Sequence, residues 1–472
     1  MRTTIRFRRF AIGLAAAAAL PLCVHAQFLE PDATALYEWH DSGGSFGWAV
    51  SELRDIDGDG AMEAMAGAPS AGGTGRIYVH SGGTGTLIQT LNGVAGSQLG
   101  YALGDAGDVN SDGVIDIIGG APGSGAGSAW IFSGVDGSVL RELPGEFNGD
   151  FFGSAVAGVG DVNDDGVDDV MVGAESSNFA GNLSGRVYVY SGATGALIRT
   201  LEAEGANDRF GSGTAGTDDV TGDGVPDLIV GARGAGPQGR GRVYVYSGAT
   251  GTLAFPPLDP IGNGASGLGQ FFVAGVGDVN NDGTPDIYGG DFGHARGRGR
   301  AYVWSGVDGA LLHRFTGKIG EGVGPGRGAG DINNDGFADL VIGSWTNNLA
   351  ATGAGRVEIF SGRDGSRLRV ITALNGGGNF GFDAVGIGDV TGDGYIDILA
   401  SAASRNRTFI IPGVPVCPGN IDGDGQVGLS DLALLLANFG STGAVVADLV
   451  DNDAVDLEDL SFLLAHFGDQ CP

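Results

Sequence analysis

Cysteine, lysine and histidine are scarce in this sequence. Three cysteines (Cys23, Cys417 and Cys471), one lysine (Lys318) and six histidines occur in 472 residues. With so few soft or imidazole ligands, clustered zinc or copper centres are excluded as an organising theme. No His-Glu-x-x-His string is present, so metalloprotease chemistry has no anchor. Basic charge is short as well: 25 Lys and Arg stand against 56 Asp and Glu, for a net charge of −31. A field of that sign repels nucleic acid and anionic membranes and favours metal cations. Long apolar runs are missing too, so no membrane span is expected. What is abundant is glycine, 93 residues without a three-residue period, which rules out a collagen.

Residues 1–26 read as a secretory signal of bacterial type. Arg2, Arg6, Arg8 and Arg9 precede an apolar stretch from Phe10 to Val24, and Val24-His25-Ala26 fits a small-x-small cleavage site. Removing this segment takes the net charge to −35 and leaves two cysteines. Cys417 and Cys471 are expected to form a disulfide in an oxidising compartment, the alternative being two free thiols.

The rest is dominated by a repeat. Asp55 to Gly60 reads Asp-Ile-Asp-Gly-Asp-Gly, and the same motif starts again at Asp108, Asp161, Asp219, Asp278, Asp331 and Asp389, at spacings of 53, 53, 58, 59, 53 and 58 residues. A Phe-Gly or Leu-Gly pair lies nine residues earlier at Phe46, Leu99, Phe152, Phe210 and Phe380. An apolar run ending in Gly-Ala or a similar pair follows each loop, then a Gly-Arg-Val-Tyr-Val-Tyr-Ser-Gly type run, then a Thr-Gly or Asp-Gly turn. Four short strands per unit of this length predict one propeller blade. The seventh unit stops after its third strand, near Thr408 to Ile411. The strand it lacks is available at Thr34 to Trp39, so first and last strands are expected to close the ring.

These residues resemble the FG-GAP repeats of integrin α-subunit propellers and their bacterial relatives, across roughly residues 28–413. The resemblance implies an all-β fold, a seven-bladed propeller over residues 27–413. It departs at two corners: Leu268-Gly269 comes one residue early, and Gly322-Val323 replaces the pair in the sixth unit, so different packing is expected there.

Each loop has the pattern Asp-x-[Asp/Asn/Thr]-x-Asp-Gly-x-x-[Asp/Glu]. Side-chain oxygens at positions one, three, five and nine suit calcium, which takes six to eight oxygen ligands in flexible geometry. The candidate ligands are Asp55, Asp57, Asp59 and Glu63; Asp108, Asn110, Asp112 and Asp116; Asp161, Asn163, Asp165 and Asp169; Asp219, Thr221, Asp223 and Asp227; Asp278, Asn280, Asp282 and Asp286; Asp331, Asn333, Asp335 and Asp339; and Asp389, Thr391, Asp393 and Asp397. Two unit charges ~4 Å apart repel by about 4 kcal/mol at an effective dielectric near 20, so carboxylates this dense call for a cation. About seven calcium ions are expected in the propeller, held more weakly by the two loops with threonine at position three.

A joint from Pro412 to Pro418 separates the propeller from residues 414–472. Asn420, Asp422, Asp424 and Asp431 occupy positions one, three, five and twelve of a twelve-residue stretch with Gly425 at six, similar to an EF-hand loop. A helix is expected next, with Leu432, Leu435, Leu436 and Phe439 on one face, returning 28 residues later as Leu460, Leu463, Leu464 and Phe467. Two loop–helix units in tandem resemble a type I dockerin, a small all-α domain. The second loop, Asp448 to Asp459, is degraded, with Val450 at position three and Asp453 in place of glycine. One or two further calcium ions and a cohesin-like partner are what this resemblance implies; the alternative is a secretion or attachment module without one.

Function is expected to be extracellular binding or adhesion to a protein or polysaccharide, without catalysis. The rival is a polysaccharide-active lyase or hydrolase, or a carbohydrate-binding accessory of a degrading assembly. Candidate ligand-surface residues are Phe179 and Trp345, on the longest loops, and Arg233, Arg240, Arg296 and Arg298, four arginines outside the repeat pattern.

Overall fold

In the computed structural model, residues 27–30, 32–262, 266–415, 419–421, 426–442, 447–450 and 454–468 are described. The expected signal segment, both cysteines of the expected disulfide, and Asp422 and Asp424 lie outside them.

Seven antiparallel sheets form the blades of a propeller. The third is representative: Phe152–Gly160 lies innermost, followed outward by Asp169–Ala174, Arg186–Tyr190 and Leu197–Glu202. The second strand of a blade is covered on both faces by neighbouring blades, so it reads as a continuous apolar run rather than an alternation, and all six residues of Asp169–Ala174 are buried. The hydrophobic cores lie between blades. Val170, Val172 and Tyr188 of blade three, for example, pack with Ile118, Ile131 and Leu143 of blade two.

Glycine in the second strand is a packing requirement. A Cβ on Gly120 or Gly173 would stand 2.1 or 2.3 Å from the carbonyl oxygen of Gly153 or Gly211, the glycine of the next blade's Phe-Gly pair. The aromatic of that pair bridges back to the preceding blade, as in Gly127 with Phe152 and Gly185 with Phe210. At the two divergent corners Leu268 and Val323 take the same place and are buried, so a smaller apolar residue fills the role of phenylalanine. Blade five does differ in its inner strand, which is cut to Val273–Gly275.

The expected ring closure is present. Tyr37–His40 pairs antiparallel with Arg407–Ile411, in the register Trp39 opposite Thr408, and becomes the outer strand of the seventh blade. At the centre, Arg327 of blade six binds Asp383 of blade seven at 3.0 Å and donates to the Val50 carbonyl of blade one. One expectation fails: blade four has three strands, not four. Its outer segment makes only isolated bridges, Tyr246 with Leu253 and Val243 with Leu258. Between them lie Pro256 and Pro257, which have no N–H for the ladder.

In the tail, helices Leu429–Ala437 and Leu457–Ala465 pack around Ile421, Val427, Leu435, Ala447, Val455 and Leu463. The two halves hold each other symmetrically: the Gly440 N–H donates to the Val455 carbonyl and the Gly468 N–H to the Val427 carbonyl. The expected apolar faces are split by this arrangement. Leu435 and Leu463 are fully buried, whereas Leu436, Phe439, Leu464 and Phe467 remain 43 to 53% exposed. Each helix ends before its phenylalanine, so the i+7 position leaves the packed face. Among the described residues, no helix is long and apolar enough to cross a membrane.

Candidate functional site: aspartate loops and the channel mouth

Each aspartate loop follows the inner strand of its blade and ends on the first residue of the second strand, or just before it in blades five and seven. The loop at Asp161 shows the geometry. Asp161 turns its two oxygens inward to accept from the N–H groups of Asp165 at 3.1 Å and Gly166 at 2.7 Å. The glycine at position six has φ +84°, a left-handed conformation that lets the chain fold over the carboxylate. Asp169, at position nine, accepts from the Val162 N–H and, across the blade, from the Gly192 N–H, both at 3.0 Å.

Gly192 belongs to the Ser-Gly turn after the third strand, and the pattern recurs in all seven blades. Gly82, Gly134, Gly192, Gly248, Gly306, Gly362 and Gly413 donate to Glu63, Asp116, Asp169, Asp227, Asp286, Asp339 and Asp397. In blades one, three and four the turn serine also donates to position five, as Ser247 does to Asp223 at 2.7 Å.

The position-nine carboxyls are fully buried. Burial pushes Glu63 up to about 7 and Asp116, Asp169, Asp286 and Asp339 up to about 6, with neighbouring loop carboxylates adding to the rise. Asp227 and Asp397 move the same way, again through burial. A buried acid beside other acids is costly when ionised, and a cation among them reverses that cost.

Two loops bring three carboxylate oxygens within 4.8 Å of one another: Asp55, Asp57 and Glu63, and Asp219, Asp223 and Asp227. Ligands on opposite sides of a calcium ion lie about 5 Å apart, so these sets fit such an ion. The second set comes from a loop with threonine at position three, where Thr221 Oγ1 donates to Asp227 at 3.3 Å. In the tail, the fully buried Asp431 accepts from the Ile421 and Gly428 N–H groups at 2.6 and 2.7 Å.

The inner strands enclose a channel whose two ends differ in chemistry. The end toward the aspartate loops is polar, a cavity of about 540 Å³ lined by Glu52, Arg54, Asp105, Asp168 and Asp218. The opposite mouth is aromatic, about 310 Å³, with Trp48, Tyr101, Phe271 and Phe382 around it and Thr214, Arg327 and Asp383 deeper in. Ring contacts make a closed circuit: Trp48 to Tyr101 at 5.5 Å, Tyr101 to Phe271 at 6.1 Å, then Phe272, Phe292, Trp345 and Phe382, and from Phe382 back to Trp48 at 5.3 Å. Burial beside these rings pushes the Tyr101 hydroxyl up to about 12.

Of the ligand-surface residues expected from sequence, Trp345 belongs to this circuit. Phe179 is exposed and covered by the Arg186 guanidinium at 3.9 Å. Arg233 is ion-paired with Glu175 at 2.9 Å, and Arg240 donates to the Gly262 carbonyl. Arg296 and Arg298 lie exposed at the turn His294–Gly297. Trp48, Tyr101 and Phe382 were not foreseen. Each directly follows a Phe-Gly or Leu-Gly pair, and an aromatic at that offset in three repeats was the available signal.

Two stretches match family models: residues 152–190 an FG-GAP repeat, and residues 219–289 an FG-GAP-like repeat. The chain is similar to integrin alpha-8 of Gallus gallus, 32% identical over 246 residues, which is 48% of this chain and 22% of that protein. It is similar to integrin alpha-5 of Xenopus laevis, 32% identical over 215 residues, 42% and 20% of the two chains. Integrin alpha-6 of Gallus gallus is 34% identical over 157 residues, 30% of this chain and 15% of that one. The chain thus spans about a fifth of the length of the curated relatives it matches.

Proposed function

We propose that this chain is a secreted, non-enzymatic binding or adhesion module. Its propeller, residues 27–413, is held by calcium in the aspartate loops and takes an extracellular protein or polysaccharide at the aromatic mouth of the channel. The observation that carries this reading is the closed aromatic circuit. Partly buried rings, of which Trp48, Tyr101, Phe271 and Phe382 line the recess, present apolar area at little entropic cost, as recognition surfaces do. Likeness to integrin α-chains over the FG-GAP repeats supports binding rather than catalysis. So does the state of the acid at the mouth: Asp383 is buried and engaged by Arg327 and the Val50 N–H, a structural rather than a proton-transfer setting.

Calcium, when bound, would be held by the loop oxygens at positions one, three, five and nine and would neutralise them; its role is scaffolding, away from the mouth. Residues 414–472 form a second, dockerin-like module for docking to a cohesin-type partner, with one or two calcium ions. A printed array of glycans and extracellular proteins tests the mouth. The native chain should bind members of one class, and Trp48→Ala/Phe382→Ala should lose that signal at unchanged melting temperature. Retention by the double variant, with loss on substitution of Arg233, Arg240, Arg296 and Arg298, would move the site to the arginines.

A further inference from the structure

The turn that holds each position-nine carboxylate is itself held by the preceding blade. The residue four places after the glycine of the Thr-Gly or Asp-Gly turn, on the outer strand of one blade, reaches the Ser-Gly turn of the next, or Pro412-Gly413 in blade seven. Gln89 donates to the Gly134 carbonyl, and Arg141 to the carbonyls of Gly192, at 2.8 Å, and Ala193. Arg199 donates to Ala249 at 3.0 Å, His313 meets the Gly362 carbonyl, and Arg369 donates to Pro412 at 2.8 Å. At the closure the added strand does the same work, with the Tyr37 hydroxyl on the Gly83 carbonyl at 2.7 Å and the Trp39 indole on the Gly85 carbonyl at 2.9 Å.

In blade four the same position is Phe255, which has no donor. Its ring lies against Gly309 in the turn of blade five, where a Cβ would meet it at 3.0 Å. The loop from Asp278 to Asp286 is therefore served by a turn, Ser305-Gly306, that takes no such hydrogen bond from the preceding blade's Phe255.

We propose that Gln89, Arg141, Arg199, His313, Arg369 and Tyr37 are positioning residues for the calcium loop of the following blade, and that the fifth loop, facing Phe255, is the weakest site of the ring. The inference rests on the calcium reading of the loops. A donor on the turn carbonyl fixes the turn and with it the direction of the glycine N–H beside it; at Pro412, whose carbonyl shares a peptide unit with the Gly413 N–H, it also polarises that donor. The turn N–H in turn orients the position-nine carboxylate, so that its remaining lone pairs face the ion. Outer-strand residues thereby act on metal sites they do not touch, and the seven sites are linked blade to blade with one break. This order differs from that expected from position three alone, which singled out the threonine loops of blades four and seven.

Native mass spectrometry of the full chain at stepped free calcium counts bound ions directly. Arg141→Met should lose one ion at a free calcium about five- to tenfold higher than the native chain does, the worth of one hydrogen bond. Arg141→Gln, the donor that blade one already uses, should restore it. Phe255→Arg supplies the missing donor and should retain one ion to lower calcium than the native chain. Identical occupancy curves for the native chain, Arg141→Met and Phe255→Arg would overturn the positioning role while leaving the calcium reading intact. A native chain that binds no calcium at millimolar concentration would overturn both.

Discussion

At the scale of single residues, the closure of the ring leaves one group poised to respond to acid. His80, on the third strand of blade one, is 7% exposed and stacks on Trp39 of the closing strand at 4.4 Å. Burial depresses its pKa from 6.5 to about 4, and no charged neighbour contributes. The fold therefore favours the neutral ring. Its contribution is complete above pH 6.5 and is lost as pH falls from there toward 4, amounting to roughly 3 kcal/mol once both states are protonated. The buried carboxyls with raised pKa values act in the opposite sense over the same window, so the histidine must be isolated by difference. With calcium held fixed, His80→Phe should lose markedly less stability than the native chain between pH 7 and pH 4.5 in urea titrations. Equal losses would show that His80 is not the sensor.

At the scale of elements, the closing strand is the piece on which the ring depends. Tyr37–His40 covers the edge Arg407–Ile411 and clasps blade one through Tyr37 and Trp39. A chain beginning after His40 should present an open, unprotected edge and self-associate through it. Size-exclusion chromatography should show larger assemblies than the full chain forms; a truncated chain with no such shift and unchanged stability would refute this. This strand was legible in the sequence because the repeat count left one strand short at one end and one over at the other. The aspartate loops were legible for a similar reason: their ligand pattern is local and recurs seven times. The mouth was not. Trp48, Tyr101 and Phe382 share one offset from the Phe-Gly pair, but Phe271, Phe292 and Trp345 come from other offsets and meet only once the ring is closed. The inter-blade clasp was hidden differently: its offset is constant but its residue is Gln, Arg, His or Phe, so no identity repeats. The fourth strand expected in blade four fails because Pro256 and Pro257 interrupt the repeat there, a local departure from an otherwise uniform pattern.

At the scale of the whole molecule, the proposed calcium ions would sit at the joints of the ring rather than at its mouth. Each position-nine carboxylate is buried between the first turn of its own loop and the glycine turn after the third strand of the same blade, a turn that in every blade but the fifth accepts a hydrogen bond from the neighbouring blade's outer strand. Ions binding only the folded state add to stability by mass action, about 2.7 kcal/mol per site at a hundredfold excess over Kd. Several such sites together rival the ordinary stability of a domain, about 5–15 kcal/mol. The same carboxylates without ions repel one another across a few ångströms in a partly buried setting. Removing calcium should thus loosen the ring as a unit rather than unfold one blade. In thermal melts the midpoint should fall by on the order of 10 °C or more when millimolar calcium is replaced by chelator. The transition should broaden as blades lose their common restraint. Magnesium, which demands tighter octahedral geometry and sheds water reluctantly, should restore little of the loss. Coincident melting curves in calcium and in chelator would mean that the backbone N–H groups alone satisfy the loops, and that the acidic clusters are turns rather than metal sites.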